Sequence, residues 1–293
     1  KDVPNFCDDL NEMLKLELDM VAICTPLPYH AQHSILALRS GKNVICEVPA
    51  VNSLEECEQV VQTVEDTGMK FMFAENCCYS DLSLEWKNAI SQDKLGKIIY
   101  AEAEYVHDCR GLMKDENGLT WRASMPPIHY CTHSLGPLLF AIDDYCVSAV
   151  GFNTGCNVAP ELGAIDMEVG LFRTAKGATI KILCGFSVAR QPAFHWYVIY
   201  GTKGSIETKR NSANQAQKYL IEEHDDKMTE YPINSAGHGT AEYRMIEKFV
   251  ESIKNDTTPP LDVYKAMDYT APGICAHISA KSNGMLVKVP NYR

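Results

Sequence analysis

The chain has 293 residues, 46% hydrophobic and 22% charged, the proportions of a soluble globular protein long enough for two domains. A net charge of −11 excludes sequence-independent nucleic-acid binding, which needs a basic footprint. No run reaches the roughly 20 apolar residues of a membrane span. The twelve cysteines form no CxxC pair and read as buried free thiols of a reducing, cytoplasmic compartment.

Taken in order, the chain opens with a short extended piece, Val3 to Phe6, and an amphipathic helix with Leu10, Met13, Leu14 and Leu18 on one face. Asp19 begins a buried strand that runs to Cys24 and ends at Thr25-Pro26, and a helix follows from Tyr29-His30 to Leu38. After the Gly41-Lys42 turn, the apolar run Val44-Ile45-Cys46 ends at Glu47-Val48-Pro49. Ligands of open α/β sheets sit beyond such carboxyl ends, although the run alone is equally a strand end before a proline turn. Ser53 and Glu56 form a capping box for a helix carrying Cys57, Val60, Val61 and Val64. Lys70 to Ala74 is a third strand, ending at Glu75-Asn76-Cys77-Cys78-Tyr79, and a helix runs from Ser83 to Ile90.

From Lys97 the texture changes. Ile98 to His107, Cys146 to Phe152, Ile165 to Arg173, Ala178 to Ser187, Tyr197 to Tyr200 and Ser205 to Lys209 read as successive strands, which argues for an antiparallel sheet. Met113 to Pro127 reads as a long loop before a helix over His133 to Ile142. Gly201-Thr202-Lys203-Gly204 suits a hairpin rather than a phosphate turn. Two helices, Ala241 to Lys254 and Asp262 to Ala280, and a last strand, Met285 to Val289, close the chain. The chain contains no G-x-G-x-x-G turn.

Strand-Thr25-Pro26, His30, Gly41-Lys42 and strand-Glu47-Val48-Pro49 together resemble the Gfo/Idh/MocA oxidoreductases over essentially the whole chain. The dehydrogenases of that family read Glu-Lys-Pro with a catalytic lysine, where this chain has Val48. Their aspartate and histidine, four residues apart, correspond to His129 and His133. Glu47-Val48-Pro49-Ala50, Glu75-Asn76-Cys77-Cys78-Tyr79, Tyr105-x-His107-Asp108 and Tyr130-x-Thr132-His133-x-Leu135-Gly136-Pro137 resemble instead its NAD-dependent α-N-acetylgalactosaminidase branch of glycoside hydrolases. The resemblance implies an α/β fold. A Rossmann-like parallel sheet over residues 1–96, N-terminally truncated, joins an α+β domain with an open antiparallel sheet over residues 97–293. It also implies that the chain as given lacks the first strand-helix-strand unit of the nucleotide domain and holds NAD weakly.

Carried over by position, Leu27, Pro28, Tyr29, His30, Glu47, Val48, Asn76 and Tyr130 would contact NAD. Tyr105, Arg122, Tyr130, Cys131, Thr132 and His133 would contact a small sugar or glycoside. No nucleic acid or membrane partner is implied, and the exposed sheet face implies a homo-oligomer. The galactosaminidases carry a tyrosine where this chain reads Arg190-Gln191-Pro192-Ala193-Phe194. The chemistry implied is oxidation at the sugar's C3, loss of the C2 proton, elimination at C1, hydration and re-reduction, an exception to the two-carboxylate route. The catalytic set is His133 and Tyr130 for the C3 hydroxyl and Tyr105, a phenol of lowered pKa, for the C2 proton, with His107 and Glu75 as tuning neighbours. Alternatives are an NAD(P)-dependent sugar dehydrogenase or ketosugar reductase, and a cofactor-free sugar-binding protein. A rival metal reading pairs His129 and His133, at i, i+4 on one helix face, with His107, Asp108 and Cys109. The expectation adopted is that there is no metal.

Overall fold

The computed structural model describes residues 6–190, 195–212, 215–220, 229–232 and 239–293. The extended piece expected from Val3 lies outside them except for Phe6. Two compact units result: Lys1–Ala74 with Ile246–Met267 and Tyr292–Arg293, and Glu75–Met245 with Asp268–Asn291. Among the described residues no helix is long and apolar enough to cross a membrane.

The first unit starts with α1 (Leu10–Leu14), shorter than its pattern predicts. Of the four apolar residues expected on its face only Leu14 is buried, and short helices need packing to persist. Then come β1 (Met20–Ile23), α2 (His30–Arg39), β2 (Asn43–Cys46), α3 (Leu54–Thr67) and β3 (Phe71–Phe73). The three strands form a parallel sheet in the order β1-β2-β3, with Ile23 opposite Cys46 and Cys46 opposite Phe73. Their carboxyl ends therefore lie side by side. The capping box of α3 is real but displaced: Ser53 Oγ accepts from Glu56 N–H at 3.1 Å, and Glu56 Oε2 accepts from Asn52 N–H at 2.7 Å.

In the second unit α4 (Asp81–Ser91) precedes the long strand β4 (Ile98–Val106). The stretch expected to be a long loop contains a small hairpin, β5 (Lys114–Asp115) with β6 (Gly118–Leu119), and the turn of helix α5 (Trp121–Ser124). The hairpin turn closes because Asp115 Oδ1 accepts from Asn117 N–H at 2.7 Å. After a 3-10 turn over Pro127–Tyr130 come α6 (Thr132–Ile142), β7 (Cys146–Asn153), β8 (Met167–Thr174) and β9 (Thr179–Gly185). Next are β10 (His195–Gly201), β11 (Gly204–Thr208), β12 (Gln215–Leu220) and β13 (Thr229–Pro232). Helices α7 (Thr240–Lys254) and α8 (Val263–Lys281) and strand β14 (Val287–Lys288) complete the chain, with the unit boundary falling inside both helices.

Among the described residues nine strands form one open sheet in the order β13-β12-β11-β10-β4-β9-β8-β7-β14. Every neighbouring pair is antiparallel except β4 and β9, which run parallel. β13, at the sheet edge, and its neighbour β12 lack the apolar–polar alternation that reveals a strand in sequence. The Gly201–Gly204 hairpin forms as expected, and Gly201 is required there: a Cβ would lie 2.0 Å from Leu95 O. Gly273 of α8 plays the same part against the turn before α6, since a Cβ would lie 2.4 Å from Ile128 O. That close approach fixes the turn that carries Tyr130. All twelve cysteines are free thiols, seven of them buried.

Candidate functional site

His133 lies in the first turn of α6, and the sequence around it explains how it is held. Pro137 has no N–H, so the helix bond it would give to the carbonyl of His133 is missing. Tyr197, reaching across from β10, donates its hydroxyl to that carbonyl at 2.5 Å. His195 Nδ1 lies 3.2 Å from the same hydroxyl and donates to it as the Nδ1–H tautomer. The imidazole is held from the other side, where His133 Nδ1 donates to Glu75 Oε1 at 2.8 Å. Glu75 is wholly buried, and the same oxygen accepts from Cys77 N–H at 3.2 Å. Gly136 makes room for that carboxylate, because a Cβ there would lie 3.1 Å from Glu75 Cγ.

Around His133 the rings converge. The Tyr130 and His133 centroids are 5.1 Å apart, and Tyr105 lies 5.9 Å from each. Phe186 closes on Tyr105 at 5.6 Å, and His195, directly opposite Tyr105 in the β4–β10 pairing, lies 4.5 Å from it. A cavity of about 180 Å³ opens beside them, lined by Tyr105, His107, Arg122, Tyr130, Phe186 and Met125 among others. Apolar walls with a few convergent polar groups are what a small-molecule site requires.

The electrostatics of the set follow from burial. Burial pulls the His133 imidazole down, but the Glu75 carboxylate and the Cys77 thiol beside it outweigh that and hold it well above its usual value. Burial pushes the Tyr105 phenol up; His133 draws it partly back without cancelling the rise. The lowered phenol expected from the sequence is therefore corrected: Tyr105 loses its proton only with cationic help. His195 is pushed down to about 3 by burial and by the neighbouring His133 and His107, so it stays neutral.

Comparison with known proteins also divides the chain near residue 75. Residues 1–75 match the family model described as oxidoreductase family, NAD-binding Rossmann fold, and residues 87–289 match its C-terminal alpha/beta domain. The chain belongs to the Gfo/Idh/MocA oxidoreductase family. A glycosyl hydrolase family 109 protein of Solibacter usitatus is 27% identical over 94% of this chain and 72% of its own length. An alpha-N-acetylgalactosaminidase of Bacteroides fragilis is 26% identical over 94% of this chain and 75% of its own. Among solved structures, levoglucosan dehydrogenase in complex with NADH and levoglucosan superposes with a TM-score of 0.84. It is 18% identical over 97% of this chain and 84% of the other, a likeness of fold.

NAD is the cofactor of this oxidoreductase family, and the first unit offers residues that fit a nucleotide. Pro28, Tyr29 and Glu47 are exposed immediately after the carboxyl ends of β1 and β2. Leu27, His30 and Val48 are buried in the same loops. His30 ties the loops together, with Nε2 2.6 Å from Thr25 O and Nδ1 2.8 Å from Pro49 O. The aromatic ring of Tyr29 stacks on His33 at 5.5 Å. These residues would hold the nucleotide at the strand ends, where parallel sheets bind it.

In the second unit the structure brings Tyr105, Tyr130, His133 and Arg122 to one place but turns other expected residues away. Cys131 is wholly buried, its Sγ 4.0 Å from Tyr269 O, and Thr132 is likewise buried at the head of α6. The Asn76 amide donates to Glu242 Oε1 at 2.7 Å. His129 and His133 do not share a helix face, because the 3-10 turn ends between them. The His129 ring instead meets His277 at 5.3 Å, and Asp108 is paired with Arg110 at 2.7 Å. Residues 191–194, where the sequence departs from the galactosaminidase pattern, lie outside the described residues.

Sequence reasoning missed His195, Tyr197 and Phe186, and gave Cys77 no role. His195 and Tyr197 reach the site only through the register of β10 on β4, which a single sequence does not reveal. For Tyr197 a signal existed: Pro137 four residues after His133 leaves a carbonyl that some donor must satisfy.

Proposed function

We propose that the chain is an NAD-dependent enzyme acting on a glycoside by transient oxidation at C3, elimination, hydration and re-reduction. The observation that carries this reading is the Glu75-backed His133 imidazole packed against Tyr105 and Tyr130, two residues that line the cavity. The alpha-N-acetylgalactosaminidase named above supports the substrate class. Val48 and His129 stand where the family's dehydrogenases carry lysine and aspartate, which speaks against lysine-assisted oxidation.

Bound NAD supplies the acceptor and donor of the C3 hydride. With Nδ1 engaged by Glu75, His133 presents Nε2 to the C3 hydroxyl and takes its proton during oxidation. The ring is then an imidazolium, and its positive charge offsets part of the burial that keeps the Tyr105 phenol protonated, just as the C2 proton, acidified by the new ketone, has to be removed. Tyr105 gives its own proton to His107 Nδ1, 3.5 Å away, and accepts the C2 proton. The C1 substituent leaves as the C1–C2 double bond forms, taking the proton held on His107. Water then adds at C1 and gives its proton to His107, Tyr105 returns a proton to C2 and recovers its own from His107, and His133 returns the C3 proton as the ketone is reduced. Arg122, on the cavity wall, orients the hydroxyls.

The deciding experiment is turnover of aryl α-N-acetylgalactosaminide in heavy water, read by mass spectrometry and by NADH absorbance. Free sugar carrying deuterium at C2, without growth of NADH, is expected. Accumulating NADH with the glycosidic bond intact would overturn the reading.

A further inference from the structure

Cys77 has no part in the chemistry above, yet it stands against the residues that do. Its Sγ lies 3.5 Å from His133 Nδ1, and Glu75 Oε1 lies 2.8 Å from that same nitrogen. One oxygen, one sulfur and one nitrogen donor thus lie within 4.8 Å of one another. Tetrahedral zinc with bonds of about 2.0–2.3 Å needs its donors about 3.3–3.7 Å apart, so the set is already near coordination spacing. The Glu75 carboxylate has a further reason to accept a cation. Its second oxygen, Oε2, is buried and has no hydrogen-bond partner among the described residues, a costly state for a carboxylate. Cys77 and His133 are partly exposed, which gives an ion a way in.

We propose that Glu75, Cys77 and His133 form an inhibitory site for zinc or a similar thiophilic divalent ion, with water as the fourth ligand. The proposal of inhibition rests on the role given to His133 above; the proposal of binding does not. Binding forms Zn–S, Zn–N and Zn–O bonds and releases the Cys77 thiol proton and any proton on His133 Nδ1. Metallated at Nδ1, a neutral imidazole carries its one remaining proton on Nε2. The nitrogen that faces the C3 hydroxyl then donates where catalysis needs it to accept. Zinc would therefore stop the reaction by fixing the wrong tautomer, without occupying the cavity. The donor set also defines selectivity: thiolate and imidazole favour zinc, cobalt or copper over magnesium and calcium.

The test is titration of the enzyme with Zn²⁺ against a chromophoric chelator, repeated with Co²⁺ and Mg²⁺. One Zn²⁺ per chain, no Mg²⁺, and a near-ultraviolet thiolate-to-Co²⁺ charge-transfer band are expected. Cys77→Ser and Glu75→Gln, checked for folding by circular dichroism, should each weaken Zn²⁺ at least about tenfold, and Cys77→Ser should lose the band. Unchanged affinity in both folded variants, or no stoichiometric binding by the parent, would overturn the site. Turnover should fall with Zn²⁺ occupancy and return with chelator. Stoichiometric Zn²⁺ with undiminished turnover would uphold the site and overturn the base role of His133, whereas absent binding leaves that role standing.

Discussion

The Tyr197 hydroxyl replaces the helix hydrogen bond that Pro137 cannot give to the carbonyl of His133. His133, the proposed base in the first turn of a helix, is thereby anchored at both its backbone and its ring. Leaving a buried carbonyl unsatisfied costs about 1–3 kcal/mol, so Tyr197→Phe should destabilise by that much. In a Pro137→Ala background the restored backbone N–H can donate instead, and Tyr197→Phe should cost measurably less. Urea unfolding of the parent, the two single variants and the double variant gives the coupling. Equal costs in both backgrounds would show that the hydroxyl does not stand in for the helix bond.

Glu75→Gln separates orientation from charge. Glutamine keeps an acceptor for His133 Nδ1 but removes the carboxylate that holds the imidazole above its usual value. The neutral ring is the form that accepts the C3 proton, so oxidation should rise with pH through the folded value of His133. With the carboxylate gone only burial and Cys77 remain, and the rising limb should move to lower pH. Glu75→Ala should also lower the plateau, roughly 10²-fold, because the ring loses its support. Rapid-quench measurement of single-turnover C3 oxidation against pH checks both. A limb that stays put in Glu75→Gln would remove Glu75 as the source of the shift.

Tyr105→Phe and His133→Ala should fail at different steps. Without the phenol, C3 oxidation survives while deuterium exchange at C2 and bond cleavage fall by about 10²- to 10⁴-fold. Without the imidazole, oxidation itself falls by a similar factor, and exchange falls with it because no ketone forms. Monitoring C3 oxidation alongside C2 exchange in one quenched reaction distinguishes the two. Normal exchange in Tyr105→Phe would take the phenol out of the mechanism.

Much of this was legible because local chemistry and fold agree. The three short apolar runs of the first unit formed strands, the Gly201–Gly204 turn formed its hairpin, and Tyr105 and Tyr130 met at a cavity with the His133 ring packed against both. What stayed hidden depends on long-range pairing. His195 is far from Tyr105 in sequence yet directly opposite it across β4 and β10. The parallel contact of β4 with β9 arises the same way, from strands that individually look like any others. The pKa of Tyr105 was misjudged for a related reason: its sequence neighbours are ordinary, and its burial is supplied by distant rings.

Two histidines should make the protein sensitive to acid. His129 is pushed down to about 3 by burial and by the adjacent His277, and His195 to about 3 by burial and by His133. Both are neutral in the folded protein and take up a proton on unfolding below 6.5. Their contribution is therefore full above pH 6.5 and is lost as pH falls toward 3. Between pH 6.5 and about 4.5 each should cost roughly 3 kcal/mol, at about 1.36 kcal/mol per unit. His133 has the opposite sign: raised in the fold, it contributes fully below 6.5 and is lost only at higher pH, so it does not offset this loss. Urea midpoints should therefore fall steeply in the parent between about pH 7 and about pH 4.5. In His129→Gln and His195→Gln, each compared with its own value at neutral pH, the fall should be visibly smaller. A fall of the same size in parent and variants would assign the acid sensitivity to other groups.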